Sequence, residues 1–169
     1  MRDDAETGTA QILHDERILR IYEGTYRIQA IELNARKIIS DDGIGVSELI
    51  LEMQECVEAP SLSKLISTSQ IDRFKKSLDD LEETVSIITK NSDDKEFTGK
   101  IAFDTLMMIG TISAAWQMLL SVERASSAFK NNTSSSEFLK EKTETAKHYL
   151  DFIMPRYLSN FSTISACTN

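Results

Sequence analysis

Apolar positions recur along most of this chain at steps of three and four, the period of an α-helix with one buried face. The clearest run is Ile71, Phe74, Leu78, Leu81, Val85 and Ile88. Its spacing predicts a helix of nearly three heptads, with either a coiled-coil partner or the interior of a bundle to receive the stripe. Upstream, Ile28, Ile31, Ala35 and Ile38 predict a helix from about Arg27 to Ile39, with Glu32 and Arg36 paired on its outer face. Val46, Leu49, Ile50, Met53 and Val57 predict another, ended by Glu58-Ala59-Pro60. Between these two, Ser40-Asp41-Asp42-Gly43-Ile44-Gly45 is a turn cluster. Ser61 to Ser69 is serine-rich and reads as a short helical turn at most.

Asn91-Ser92-Asp93-Asp94 interrupts the pattern and can cap the next helix. One long helix is expected from Phe97 to Phe129, apolar on nearly every side between Ala102 and Leu120 and so buried all round. Asp104, Thr105, Thr111, Ser113 and Gln117 interrupt this stretch, which argues for a core helix over a membrane span. Gly110, Ser113, Ala114 and Ala115 are small and would let neighbours approach closely, with Trp116 as a large filler. After the linker Lys130 to Ser136, a last helix is expected from Glu137 to Leu158, kinked or ended by Pro155. The tail from Asn160 is polar and expected to fray. No strand stands out. The fold class expected is all-α, a helical bundle of five or six helices.

Composition narrows the function. A chain of 169 residues with 41% hydrophobic and 27% charged residues can form a real core. Its net charge of −8 argues against a nucleic-acid surface. Cys56 and Cys167 are far apart and have no Cys-x-x-Cys partner, so no disulfide or metal site is expected. His14 and His148 lack ligand-spaced neighbours. The acidic N-terminus is unlike a signal peptide, and the expected location is cytoplasmic, without a membrane partner.

One stretch remains that carries chemistry. A polar helix-compatible segment, Glu6 to Arg20, runs into Ile21-Tyr22-Glu23-Gly24-Thr25. From spacing alone, Glu23 is a helix-end carboxylate in a tight turn. The wider run changes this. Ala5-Glu6-Thr7-Gly8-Thr9-Ala10-Gln11, then Asp15 and Arg17-Ile18, then Ile21-Tyr22-Glu23-Gly24-Thr25 and Ile28-Gln29-Ala30, resembles the C-terminal part of acyl-CoA dehydrogenases in order and spacing. The later helices, with His148-Tyr149-Leu150 and Met154-Pro155-Arg156, are similar to the extra C-terminal helical domain of the branch that includes 3-methylthiopropionyl-CoA dehydrogenase-like enzymes.

The resemblance implies a division into residues 1–42 (the end of the C-terminal helical domain, with the catalytic-base motif), 43–160 (the extra bundle) and a frayed tail, 161–169. It also implies a chemistry. Glu23 would remove the α-proton of an acyl-CoA thioester while the β-hydrogen leaves as hydride to FAD. The carboxylate would need a raised pKa, which burial away from water supplies. Gly24 would let the backbone approach the substrate, and Thr25, Tyr26, Arg27 and Gln29 would touch FAD. Tyr26-Arg27 departs from the small pair common in this branch. The domains that hold most of the flavin in this family precede such a region. The chain is therefore expected to be a C-terminal fragment: a split gene product, the partner of a separately encoded N-terminal half, or a decaying remnant. Homo-oligomers and an electron-transfer flavoprotein are the other partners implied. A non-catalytic helical interaction module is the alternative.

Overall fold

The computed structural model describes residues 26–168, which form helices joined by short turns, with no strand among the described residues. Helix α1, Tyr26–Glu32, passes without a break into a π-helical turn, Leu33–Ile38, and a tight 3-10 turn, Ile39–Asp41. Helix α2 is Ile44–Val57 and α3 is the single turn Leu62–Leu65. Helix α4 is Thr68–Lys90. Helix α5, Lys95–Lys100, is followed by the central helix α6, Ala102–Lys130. Helix α7, Ser136–His148, runs through a second π turn, Tyr149–Ile153, and a 3-10 turn, Met154–Arg156, into α8, Tyr157–Ala166.

The joint between α1 and α2 shows why the turn cluster has the residues it has. Asp42 and Gly43 both take left-handed backbone, at φ 54° and 79°. Asp41 then serves the start of α2 from outside: its Oδ1 accepts from the Gly43 amide and its Oδ2 from the Gly45 amide, both at 3.1 Å. A carboxylate beside the amides at a helix start helps satisfy them and suits the helix dipole. Gly43 is confined sterically as well. A Cβ there would lie 2.3 Å from Val85 Cγ1 on α4.

The stripe on α4 is consumed within the chain. Phe74, Leu78, Leu81, Val85 and Ile88 are buried in the core, and Ile71 packs at its edge. Ser67 starts the helix with a reciprocal capping pair: the Gln70 amide donates to Ser67 Oγ at 3.3 Å, and the Ser67 amide donates to Gln70 Oε1 at 3.1 Å. The opposite face, including Lys75, Asp79 and Glu83, is charged. Glu32 and Arg36 pair on the outer face of α1 at 3.4 Å, as expected from their spacing.

Three features of the second half differ from the sequence expectation. The helix expected from Phe97 is divided at Ile101, whose side chain is fully buried and whose ψ of −5° turns the backbone out of line. Asp94, rather than a residue of the long helix, starts α5 by accepting from the Phe97 amide at 2.9 Å. Next, α6 is not buried all round. Thr105, Met108, Ile112, Ala115, Leu119 and Val122 form its inner face, whereas Phe103 and Met107 are exposed. Its length and apolar composition would let it cross a membrane, but here α1, α4, α7 and α8 all pack against it. Last, the segment from residue 161 is helical to Ala166 instead of frayed, because Tyr157, Phe161 and Ile164 fall on one face and pack into the core. Pro155 has no amide to give to the helix, and the chain around it widens and then tightens before α8 begins.

Polar side chains lock this irregular segment to α4. Tyr157 donates its phenol proton to Asp80 Oδ2 at 2.9 Å, and Lys76 reaches Asp80 Oδ1 at 2.7 Å. Asp80 is only 2% exposed, so these two donors are what make its burial tolerable. In the π turn that leads to α8, Asp151 accepts from Gln70 Nε2 at 2.9 Å and from the Arg73 guanidinium. Tyr149 donates to the Thr111 carbonyl of α6 at 3.2 Å.

This packing has two testable outcomes. Replacing Gly43 with Ala imposes both a left-handed side chain and the Val85 clash, and should cost about 2 kcal/mol or more in chemical denaturation. Gly110→Ala, in the middle of α6 where a Cβ meets nothing within 4 Å, should instead stabilise by about 0.5–1 kcal/mol. The second outcome concerns pH. Burial first, and then the carboxylate of Asp80, disfavour the ionised phenol, so the folded chain holds the Tyr157 proton well above the ordinary value of 10.0. Below that value folded and unfolded chains are both protonated there and stability does not depend on this group. As pH rises past it, only the unfolded chain loses the proton, and stability falls. Tyr157→Phe should lose about 2 kcal/mol or more at neutral pH, because it leaves a buried carboxylate short of a donor, and show a shallower alkaline decline than the parent.

Candidate functional site

Of the six residues that the resemblance assigns to a site, Glu23, Gly24 and Thr25 lie outside the described residues. Tyr26 and Arg27 belong to the first turn of α1, and the description of side chains begins after them. Gln29 is half-buried on α1. What the structure establishes is the mounting of the helix that comes after the motif.

Helix α1 lies against α6 with Ala30 fully buried, and Ile38 is buried at the end of the π turn. Between them Asn34 is 1% exposed and donates its Nδ2 to the Thr98 carbonyl of α5 at 3.1 Å. Its Oδ1 is buried and has no hydrogen-bond partner among the described residues. A buried amide acceptor without a donor costs about 1–3 kcal/mol; the indole Nε1 of Trp116 is likewise buried without a hydrogen-bond partner among the described residues. Nothing local in the sequence marks Asn34: its partner is 64 residues away, and no motif announces that contact.

Asn34 lines a cleft of about 380 Å³ between α1 and α5. Ile31, Ala35 and Ile39 form one wall, and Ser92, Lys95, Thr98 and Gly99 the other. A second groove of about 520 Å³ lies between α2 and α4, among Gln54, Glu55, Glu58, Lys75 and Asp79. Lys75 and Glu58 pair across it at 2.6 Å, which makes it a solvated polar surface.

Among the described residues, the other reactive side chains are not placed for catalysis. No three His, Cys, Asp or Glu side chains converge on a metal-sized site among the described residues. His148 tilts against the Phe152 ring, with centroids 4.9 Å apart. Burial, reinforced by the charge of Glu123, pushes the Cys56 thiol up, against a smaller opposing effect of the Trp116 indole N–H. A thiol held protonated is a poor nucleophile.

The described residues do not make a flavin site by themselves. The cleft beside α1 offers one aliphatic wall, faced by Ser92, Thr98 and one lysine. A dinucleotide needs several donors converging on its pyrophosphate. Among the positions expected to touch FAD, Gln29 alone has described surroundings, and it lies in the first turns of α1.

Comparison with known proteins gives the chain its context. A curated relative, 3-methylmercaptopropionyl-CoA dehydrogenase of Ruegeria pomeroyi, is 29% identical over 168 residues, which cover 95% of this chain and 27% of that protein. The chain thus spans about a quarter of the length of the relative it matches. No solved structure gives a significant match. The family described as acetyl-CoA dehydrogenase C-terminal like matches residues 49–169, from the middle of α2 to the end of the chain. That stretch holds the bundle built on α4, α6, α7 and α8, and the chain belongs to this family.

Proposed function

We propose that this chain serves as the C-terminal part of an acyl-CoA dehydrogenase and supplies the base for α,β-dehydrogenation of an acyl-CoA thioester. The observation that carries the reading is the coincidence of two independent stretches. The Ile21-Tyr22-Glu23-Gly24-Thr25 motif run precedes, in the right order, a bundle of the acetyl-CoA dehydrogenase C-terminal like family. The similarity to 3-methylmercaptopropionyl-CoA dehydrogenase extends over both.

In this reading Glu23 takes the α-proton of the thioester. A carboxylate in water is far too weak a base for that proton. Exclusion of water by bound substrate raises its pKa, and stabilisation of the developing enolate at the thioester carbonyl lowers that of the substrate, so the two approach each other. Gly24 keeps a side chain out of the way of the thioester carbonyl. The bundle's part is to hold α1, through Asn34, Ala30 and Ile38, in one orientation for the segment that precedes it. A base that is held in place acts far more effectively than one that must be oriented during the reaction. The chemistry that FAD would supply, were it bound, is acceptance of the β-hydrogen as hydride. Its site would be supplied mainly by the part of the enzyme outside these residues, with Thr25, Tyr26, Arg27 and Gln29 at its edge. The interaction-module alternative is not favoured: the Ile71–Ile88 stripe, one of the two features behind it, is buried against the chain's own helices.

The test is a single substitution in the assembled enzyme, this chain together with the remaining dehydrogenase domains. Glu23→Gln should lower acyl-CoA-dependent dye reduction by roughly a hundredfold or more, with flavin content and acyl-CoA binding retained. Undiminished turnover in that variant would remove Glu23 from the mechanism.

A further inference from the structure

Helix α6 carries two stripes at heptad spacing, on opposite sides. The inner one, which includes Met108, Ile112, Ala115 and Leu119, is buried against the chain's own helices. The outer one starts at Phe103, 50% exposed, and Met107, 44% exposed, and continues through Gly110 and Ala114 at steps of four and three as far as Ala128. No position on it is buried. A solvated helix face is ordinarily charged, as that of α4 is, yet this stripe holds a single charge, Arg124. Beside its C-terminal half, Phe138 and Lys142 of α7 wall a groove of about 360 Å³ that Ser121, Arg124 and Ala128 also line. The stripe is therefore bulky at its start and small, with an open groove, at its end. Asp104, next to Phe103, is partly buried, and burial pushes its carboxyl up. Neither Asp104 nor Arg124 has an ion pair among the described residues.

We propose that this outer stripe is a contact between two copies of the chain, with their α6 helices antiparallel about a two-fold axis that passes between Ala114 and Gln117. The inference goes beyond the dehydrogenase reading and does not depend on it. What selects a second copy is that the stripe complements itself in this arrangement. Phe103 of one copy falls opposite Ala128 of the other, Met107 opposite Arg124, Gly110 opposite Ser121 and Ala114 opposite Gln117. Each bulky side chain thus meets a small one or an aliphatic stem, and Phe103 and Met107 enter the groove lined by Ala128, Arg124 and Phe138. Gly110, where a Cβ would meet nothing within 4 Å of its own chain, lets the two helices approach closely near the axis. Charge agrees with shape. Asp104 lies one turn from Met107, which brings it within reach of the second copy's Arg124, and each gains the counter-charge that its own chain does not provide. A parallel pairing would instead set Phe103 against Phe103 and Arg124 against Arg124, crowding one end and repelling at the other.

The experiment uses the full 169-residue chain, with association read by sedimentation equilibrium at concentrations of tens of micromolar. The parent should be a dimer. Phe103→Glu with Met107→Glu alters two exposed side chains and should weaken dimerisation roughly tenfold or more, with helical content by circular dichroism unchanged. Arg124→Asp and Asp104→Arg should each weaken it, since each sets like charges across the contact. The two changes together should restore the parental association. Leu51→Asp on α2 and Ile28→Asp on α1, also at exposed positions, should leave the dimer intact. A monomeric parent overturns the contact, as does a dimer insensitive to the Phe103 and Met107 changes. A dimer dissolved by Leu51→Asp or Ile28→Asp places the interface elsewhere and overturns it too. Failure of the combined charge exchange to restore association overturns the antiparallel pairing, because only that register brings positions 104 and 124 of the two copies together. The exchange also decides the matter without regard to folding, since association lost in each single variant and regained in the double cannot come from a damaged fold.

Discussion

Asp80 is the polar contact on which the bundle's closure depends. It sits in the middle of α4 among Leu78, Leu81 and Thr84, where an apolar side chain would ordinarily be. A carboxylate in that position is acceptable only while Tyr157 and Lys76 both donate to it. Lys76 comes from the same helix and is available whenever α4 forms. Tyr157 comes from the far end of the chain, 77 residues on, so full satisfaction of Asp80 requires α8 to be in its native place. Burial of the core favours any compact arrangement of apolar stripes. The unmet carboxylate disfavours those in which the last helix is displaced or turned. Asp151, held by Gln70 and Arg73, makes the same demand of the segment just before α8.

Backbone irregularity is concentrated where the chain needs to change direction without losing hydrogen bonds. The π turn after α1 and the one before α8 each shift the register of the helix by part of a turn. In the first, this brings Asn34 and Ile38 into the interior together. In the second, it precedes Pro155, whose ring excludes a regular helix, and redirects the chain so that Tyr157, Phe161 and Ile164 face the core. Such turns give up regular geometry and rely on tertiary contacts. Both are adjacent to the long-range polar contacts that fix them, Asn34 with Thr98 and Asp151 with Gln70.

The parts of the fold that were readable from sequence are those set by local periodicity. Phe74 to Ile88, the turn at Ser40 to Gly45, and the capping role of Asp94 are all written within a few residues of where they act. The break at Ile101 was missed because its one local mark, Gly99 two residues earlier, is followed at once by a long apolar run that reads as continuous helix. Helix α8 was hidden by its serines and threonines, although the spacing of Tyr157, Phe161 and Ile164 was present and would have revealed it. The motif at Glu23 was legible only through resemblance, because its chemistry depends on groups that this stretch does not itself contain. Asn34 and Asp80 look like ordinary surface residues until their distant partners are known.

The composition of α6 has a consequence for biosynthesis. Its 29 residues leave the ribosome after α4 but before α7 and α8, which cover part of its surface. During that interval it is a long apolar helix, the kind of nascent segment that membrane-insertion and chaperone machinery recognise. Helices α1, α2 and α4 are already made by then and able to pack on it at once. The chain order, with the charged-faced α4 first and the apolar helix after it, therefore supplies a shield in advance for the segment most exposed to misrouting.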